Sequence, residues 1–240
     1  MTKQPQAILE EQNKIFGYSE RGIINSLIFN IGEDKNLLRE FIGLIKLPYP
    51  IDVGEPKKYT ILLEQSFSRF GDADLIIIIH YENKEDKKVL FFEGKVKTYK
   101  KNWNIETEFG KYIEPINSEH KIRPKNYWSN LFSQLYLKKS LIDNWIEINE
   151  KGGVKLLESE RDRKIGENKI VLKAFKKLNG CKQNYYIGLI PTLEENIKKF
   201  KGKTDFDLHF LSWETVHKFC KDNKLKKVLK MFKYNDGQIY

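Results

Sequence analysis

The chain has 240 residues, 40% of them hydrophobic and 13% aromatic, which is enough apolar material for a real core and excludes wholesale disorder. The longest apolar run, Leu75 to Ile79, is too short to cross a bilayer, and the N-terminus has no basic-then-apolar signal pattern, so a cytoplasmic protein is expected. A formal net charge of +10 favours a polyanionic partner such as nucleic acid, while Cys181 and Cys220, the only cysteines, form no CxxC or Cys/His cluster and speak against zinc or a disulfide framework.

In chain order, residues Gly17 to Ile31 read as a helix that Ser19 would cap, with Ile24, Leu27, Ile28 and Ile31 on one stripe and Glu20 one turn before Ile24. A second helix is expected from Asn36 to Lys46, ahead of Pro48 and Pro50. "KYTILLEQSF" reads as a strand, Arg69 to Gly71 as a turn, and "DADLIIIIHY" as a second strand whose unbroken apolar run predicts burial on both faces. "ENKEDKK" is a polar turn and "VLFFEGKVK" a third strand, so Tyr59 to Lys97 reads as an antiparallel meander.

Thr98 to Lys125 is polar and mixed, and a long helix is expected from Tyr127 to Ile148. "ESERDRKIGENK" reads as a charged helix surface leading into "IVLKAFKKL". The last third supplies a strand at "NYYIGLIP", a helix capped by Thr192, a strand at "DLHFLSW", a helix opened by Trp213 and a basic amphipathic tail. With no internal repeat and no Ser/Gly/Pro linker, the expectation is one α/β domain over 1–240, its core at about 17–220 and its basic helical tail at about 224–240, with a mixed central sheet flanked by helices.

The chemistry concentrates at one end of the meander. Residues i and i+2 of a strand share a face, so Glu93 and Lys95 point the same way, as do Asp72 and Asp74. A hairpin sets the start of one strand beside the end of the next, which brings Asp72 and Asp74 to Glu93 and Lys95. If the first helix packs on this sheet, Glu20 reaches the same end. Carboxylates around a lysine suit a hard divalent cation that takes one or two protein carboxylates plus phosphate oxygens, and the chemistry implied is metal-assisted phosphodiester hydrolysis. A single Glu-x-Lys in a lysine-rich chain means nothing by itself; a strand surfacing into solvent explains it equally well. The joint pattern of two strand-end acids and a helix acid carries the argument.

An Asp leading a strand, a hairpin turn, and Glu-x-Lys closing the next strand resembles the PD-(D/E)XK nuclease superfamily, the restriction-endonuclease-like fold. The resemblance implies Asp74 and Glu93 as metal ligands, Lys95 as the residue assisting the attacking water, Glu20 as the helix-one acid of the metal cluster, and Gln134 of "LFSQLYL" as the polar residue on the helix after the catalytic strand. Ala73 stands where the family name has proline, Asp72 competes with Asp74, and Glu64 is a further acid open to recruitment. The implied cofactor is magnesium, with manganese as a substitute. The implied partners are nucleic acid, with DNA favoured, and a second copy of the chain if both strands are cut; no membrane is expected. Lys97, Lys100 and Lys101, interleaved with Tyr99 and Trp103, and Arg123 and Lys125 are candidates for phosphate contact. The alternative function is a nucleic-acid-binding protein of this fold that does not cleave. His80, His120, His209 and His217 have no metal-ligand spacing, no Walker-type loop or GxSxG appears, and Trp213, Tyr185 and Tyr186 read as core.

Overall fold

The computed structural model describes residues 15–47, 55–82, 87–97, 103–117, 130–144, 168–192, 200, 202–204 and 206–239. Strands β1 (Lys58–Ser66), β2 (Asp72–His80) and β3 (Lys87–Gly94) form the expected antiparallel meander. β4 (Cys181–Ile190) pairs parallel with β3, and β5 (Leu208–Ser212) parallel with β4, so the five strands lie side by side in chain order in one mixed sheet. Helices α1 (Ser19–Ile31), α2 (Lys35–Gly43), α3 (Ile105–Asn117), α4 (Leu131–Asp143), α5 (Lys169–Lys177), α6 (Trp213–Asp222) and α7 (Lys226–Tyr234) flank it.

The sheet divides two apolar cores. Leu75, Ile77, Ile79, Leu90 and Phe92 meet α1, α2 and α6 through Ile23, Ile24, Leu27, Phe41 and Trp213. Ile76, Ile78, Val89 and Phe91 meet α3, α4 and α5 through Tyr112, Phe132, Leu135 and Phe175. Alternation of side chains along a strand sends neighbours to opposite cores, so a strand in the middle of three layers must be apolar at every position. That is the physical reason for "LIIII" and "VLFF", and each such side chain contributes roughly 1.5–3 kcal/mol of burial.

Several boundaries differ from expectation. Ser19 does not cap α1: it is the first helical residue, at φ +61°, and its backbone N–H donates to Oδ1 of Asn235 in a hydrogen bond of 2.9 Å. The capping acceptor comes instead from just beyond the last helix of the chain. Asn235 also donates from Nδ2 to the Gly17 carbonyl (2.8 Å). Close approach explains the glycines here, since a Cβ on Gly22 would sit 2.3 Å from the Gly17 carbonyl carbon. α2 starts at Lys35 on an Asp34 cap that accepts from the Asn36 and Leu37 N–H groups, which supports a first turn with no acid of its own.

β3 stops at Gly94, three residues short of the expected end, and α3 forms inside a segment read as polar and mixed. The described part of the long expected helix is Leu131–Asp143, with Asn130 capping through the Ser133 N–H. The expected helix after Thr192 and the charged stretch before α5 lie outside the described residues. No helix among the described residues is long and apolar enough to cross a membrane.

Asn235 is buried and joins the two ends of the described chain. Asn235→Ala leaves the Ser19 N–H and the Gly17 carbonyl without these partners, and about 1–3 kcal/mol of stability is expected to be lost in urea unfolding.

Candidate active site

The β2–β3 register pairs Leu75 with Phe92. One step further along the same ladder sets Asp74 opposite Glu93 on the α4 side of the sheet. Both carboxyl groups are buried. Asp74 Oδ2 accepts the Gly94 N–H at 2.7 Å, and its Oδ1 lies 3.4 Å from Arg21 Nε. Glu93 Oε1 accepts from Lys95 Nζ at 2.6 Å. The expectation that Glu93 and Lys95 point the same way therefore holds, although Lys95 lies one residue beyond the strand.

Lys95 is not loose for being outside β3. Its N–H donates to the Leu189 carbonyl of β4 (2.8 Å), and its own carbonyl accepts from the Trp213 indole (2.7 Å). Trp213 is thus core, as expected, and also fixes the backbone that carries the lysine.

Glu20 reaches the same end from α1. Its Cβ and Cγ lie 3.0 and 3.1 Å from where a Cβ on Gly94 would be, so a side chain between Glu93 and Lys95 would press on Glu20. Gly94 orients Asp74 with its N–H and makes room for Glu20 with its missing side chain. Asp72 begins β2, opposite Ser66, and is exposed, so Asp74 is the better placed of the two acids. Glu64, at φ +48°, accepts from Asn25 Nδ2 (2.6 Å) and lies 3.8 Å from Arg21 Nη1, which links it to Asp74 through one shared guanidinium. Gln134 packs on the approach to β2, its Oε1 2.6 Å from where a Cβ on Gly71 would be.

Two cations at this site went unread in the sequence. Arg21 follows Glu20 and is half-exposed. Lys138, one turn after Gln134, is only 1% exposed and donates from Nζ to the Phe70 carbonyl at 2.7 Å. Its signal was available: Leu131, Leu135 and Lys138 share the buried face of α4.

Burial sets the titration of the cluster. It pushes Glu93 up from the usual 4.5 to about 7; Asp74 adds to the rise, while Lys95 and Lys138 oppose it. Burial also lowers Lys138 to about 8 against the pull of Glu93, Asp72 and Asp74. For Lys95 burial acts downward too, but Glu93, Asp74 and Glu20 outweigh it and the pKa is raised, which keeps the ammonium charged at neutral pH.

No group of three or more His, Cys, Asp or Glu side chains able to hold a metal ion is present among the described residues. Asp74 and Glu93 form a facing pair of buried oxygen donors, a set that fits magnesium, which takes one or two protein carboxylates and keeps water or phosphate oxygens for the rest. Of the phosphate-contact candidates, Lys97 is half-buried and its N–H donates to the Gln238 carbonyl (2.6 Å); Lys100, Lys101, Arg123 and Lys125 lie outside the described residues. Comparison with protein-family models, curated proteins and solved structures finds no match.

The Gly94 contact is testable by unfolding. Gly94→Ala is expected to cost about 1–3 kcal/mol, as overpacking does, and the loss shrinks in a Glu20→Gly background; equal losses in the two backgrounds would exclude the contact. Glu93 supplies a second test. The folded protein keeps its proton up to about pH 7 and the unfolded chain loses it near 4.5, so this group's contribution to stability falls as pH rises across that window. Urea midpoints of wild type and Glu93→Gln, measured at a series of pH values, are expected to differ by a margin that moves against the wild type between those limits.

Proposed function

We propose that the chain is a divalent-metal-dependent nuclease of restriction-endonuclease-like fold that hydrolyses phosphodiester bonds, with DNA as the favoured substrate. The observation that carries this reading is the meeting of Asp74 and Glu93 on adjacent strand ends, with Lys95 Nζ 2.6 Å from Glu93. Asp74 and Glu93 would hold the metal, magnesium or manganese, with Glu20 adding negative charge nearby. When bound, such a cation neutralises phosphodiester charge and lowers the pKa of a coordinated water.

The chain's own residues do the rest. The Gly94 N–H fixes one Asp74 oxygen at the end of β3. Lys95, charged and clamped through its backbone by Leu189 and Trp213, offers a preorganised positive group to an attacking water or to the charge that grows on a phosphate oxygen. Lys138 sets a further positive charge against the two buried acids. Lys97, Lys100, Lys101, Arg123 and Lys125 would contact backbone phosphates.

A second reading, a nucleic-acid-binding protein that does not cleave, is favoured by one observation. Each inner acid already has an internal cation, Arg21 at Asp74 and Lys95 at Glu93. The experiment that separates them compares wild type, Glu93→Ala and Lys95→Ala on supercoiled plasmid and single-stranded circular DNA with magnesium, manganese or EDTA. Metal-dependent cutting reduced about 100-fold or more in both variants is expected, the scale of losing a proton-transfer or charge-stabilising group. Cutting that survives both substitutions overturns the reading. Steeply salt-dependent DNA binding without cutting selects the second one.

A further inference from the structure

Large aromatic side chains stand exposed where α1 begins. Phe16 is 50% exposed, Tyr18 67% and Tyr234, from the end of α7, 54%. The Phe16 and Tyr234 rings stack on each other, centroids 4.7 Å apart and planes within 24°. The adjoining backbone is held by part-buried hydrogen bonds: Asn235 bridges Ser19 and Gly17, and the Gly17 N–H points at Met231 Sδ. These rings are therefore presented by a rigid support.

Two features say what they are presented to. α7 turns Lys226, Lys227, Lys230 and Lys233 to solvent, and Asp236 is the one acid between residues 224 and 239. Tyr18 is also next to the candidate active site in the chain, since Glu20 packs on Gly94 and Arg21 reaches Asp74. Flat rings beside a row of ammonium groups match a strand whose bases are unpaired: the bases stack and the phosphates meet lysine. The chain's own first fourteen residues offer no such charge complement, because Lys3 and Lys14 are balanced by Glu10 and Glu11.

We propose that Phe16, Tyr18 and Tyr234, with Lys230 and Lys233, form a stacking platform for single-stranded DNA that leads into the Asp74–Glu93 site. The proposal rests on the nuclease reading for the direction of the strand, and binding tests it independently of cleavage.

The experiment is fluorescence anisotropy in EDTA with a labelled oligothymidine and a duplex of equal length, using full-length wild type, Phe16→Ala, Tyr18→Ala, Tyr234→Ala, Tyr18→Phe and the pair Lys230→Ala with Lys233→Ala. Each alanine at an aromatic position is expected to weaken oligothymidine binding about tenfold, to change duplex binding little, and to be rescued at position 18 by phenylalanine. The lysine pair is expected to reduce the salt slope by about 1.4, the single-strand value for two phosphate contacts. If the aromatic variants bind oligothymidine as well as wild type, the platform is overturned while the cleavage reading is untouched. If they lower the melting temperature without changing affinity, the chain itself covers the rings, and the proposal is overturned. Loss of a dimer in sedimentation with affinity unchanged assigns the face to a second copy and overturns it too. Aromatic-dependent binding in a protein that never cuts leaves the platform standing and removes the nuclease reading.

Discussion

The ladder that pairs Leu75 with Phe92 decides where every charge at the strand ends goes. A slip of one residue would turn Asp74 and Glu93 to opposite faces and part Ile76 from Phe91, which share one core. The apolar side chains that fill both layers hold the register, because each slipped position would bury or expose the wrong partner. Packing far from the carboxylates thus sets which face of the sheet each of them takes. Gly94 turns that register into a site, since its amide holds Asp74 and its bare α-carbon admits Glu20.

Burying like charges side by side is unfavourable unless cations accompany them. Here Lys95 and Lys138 enter the interior with Glu93, and Arg21 covers Asp74 from the solvent edge. The result is a cluster of strongly interacting groups of both signs. Burial penalises the charged form of the two most deeply buried groups, raising Glu93 and lowering Lys138. Such clusters are common at reactive centres and also occur in structural ion networks.

The meander and its acids were legible because their signals are local. Continuous apolar runs predict two-sided burial, and hairpin geometry alone brings Asp74 to Glu93. What stayed hidden depends on contacts distant in sequence. Ser19 has the residue type of an N-cap, yet Asn235 supplies the acceptor from the far end of the chain. The helical spacing marks Lys138 as inward, but its partner, the Phe70 carbonyl, lies 68 residues away in sequence and shows only in the fold. α3 contains Gly110 and Pro115, which break the pattern that would otherwise mark it. The parallel seam between β3 and β4 joins segments that α3, α4 and α5 separate in sequence, and no local periodicity names such a partner.

The clamp on Lys95 has a consequence for the order of events during synthesis. Asp74 and Glu93 meet between two strands adjacent in sequence, but the indole that holds the Lys95 carbonyl lies 118 residues downstream. Domains fold as units, with N-terminal portions emerging first and long-range pairing last. A nascent chain therefore carries its acids well before it can set its lysine. Completion of the Asp74, Glu93 and Lys95 cluster is tied to arrival of the C-terminal third, and the unfinished polypeptide lacks a fixed geometry at the candidate site.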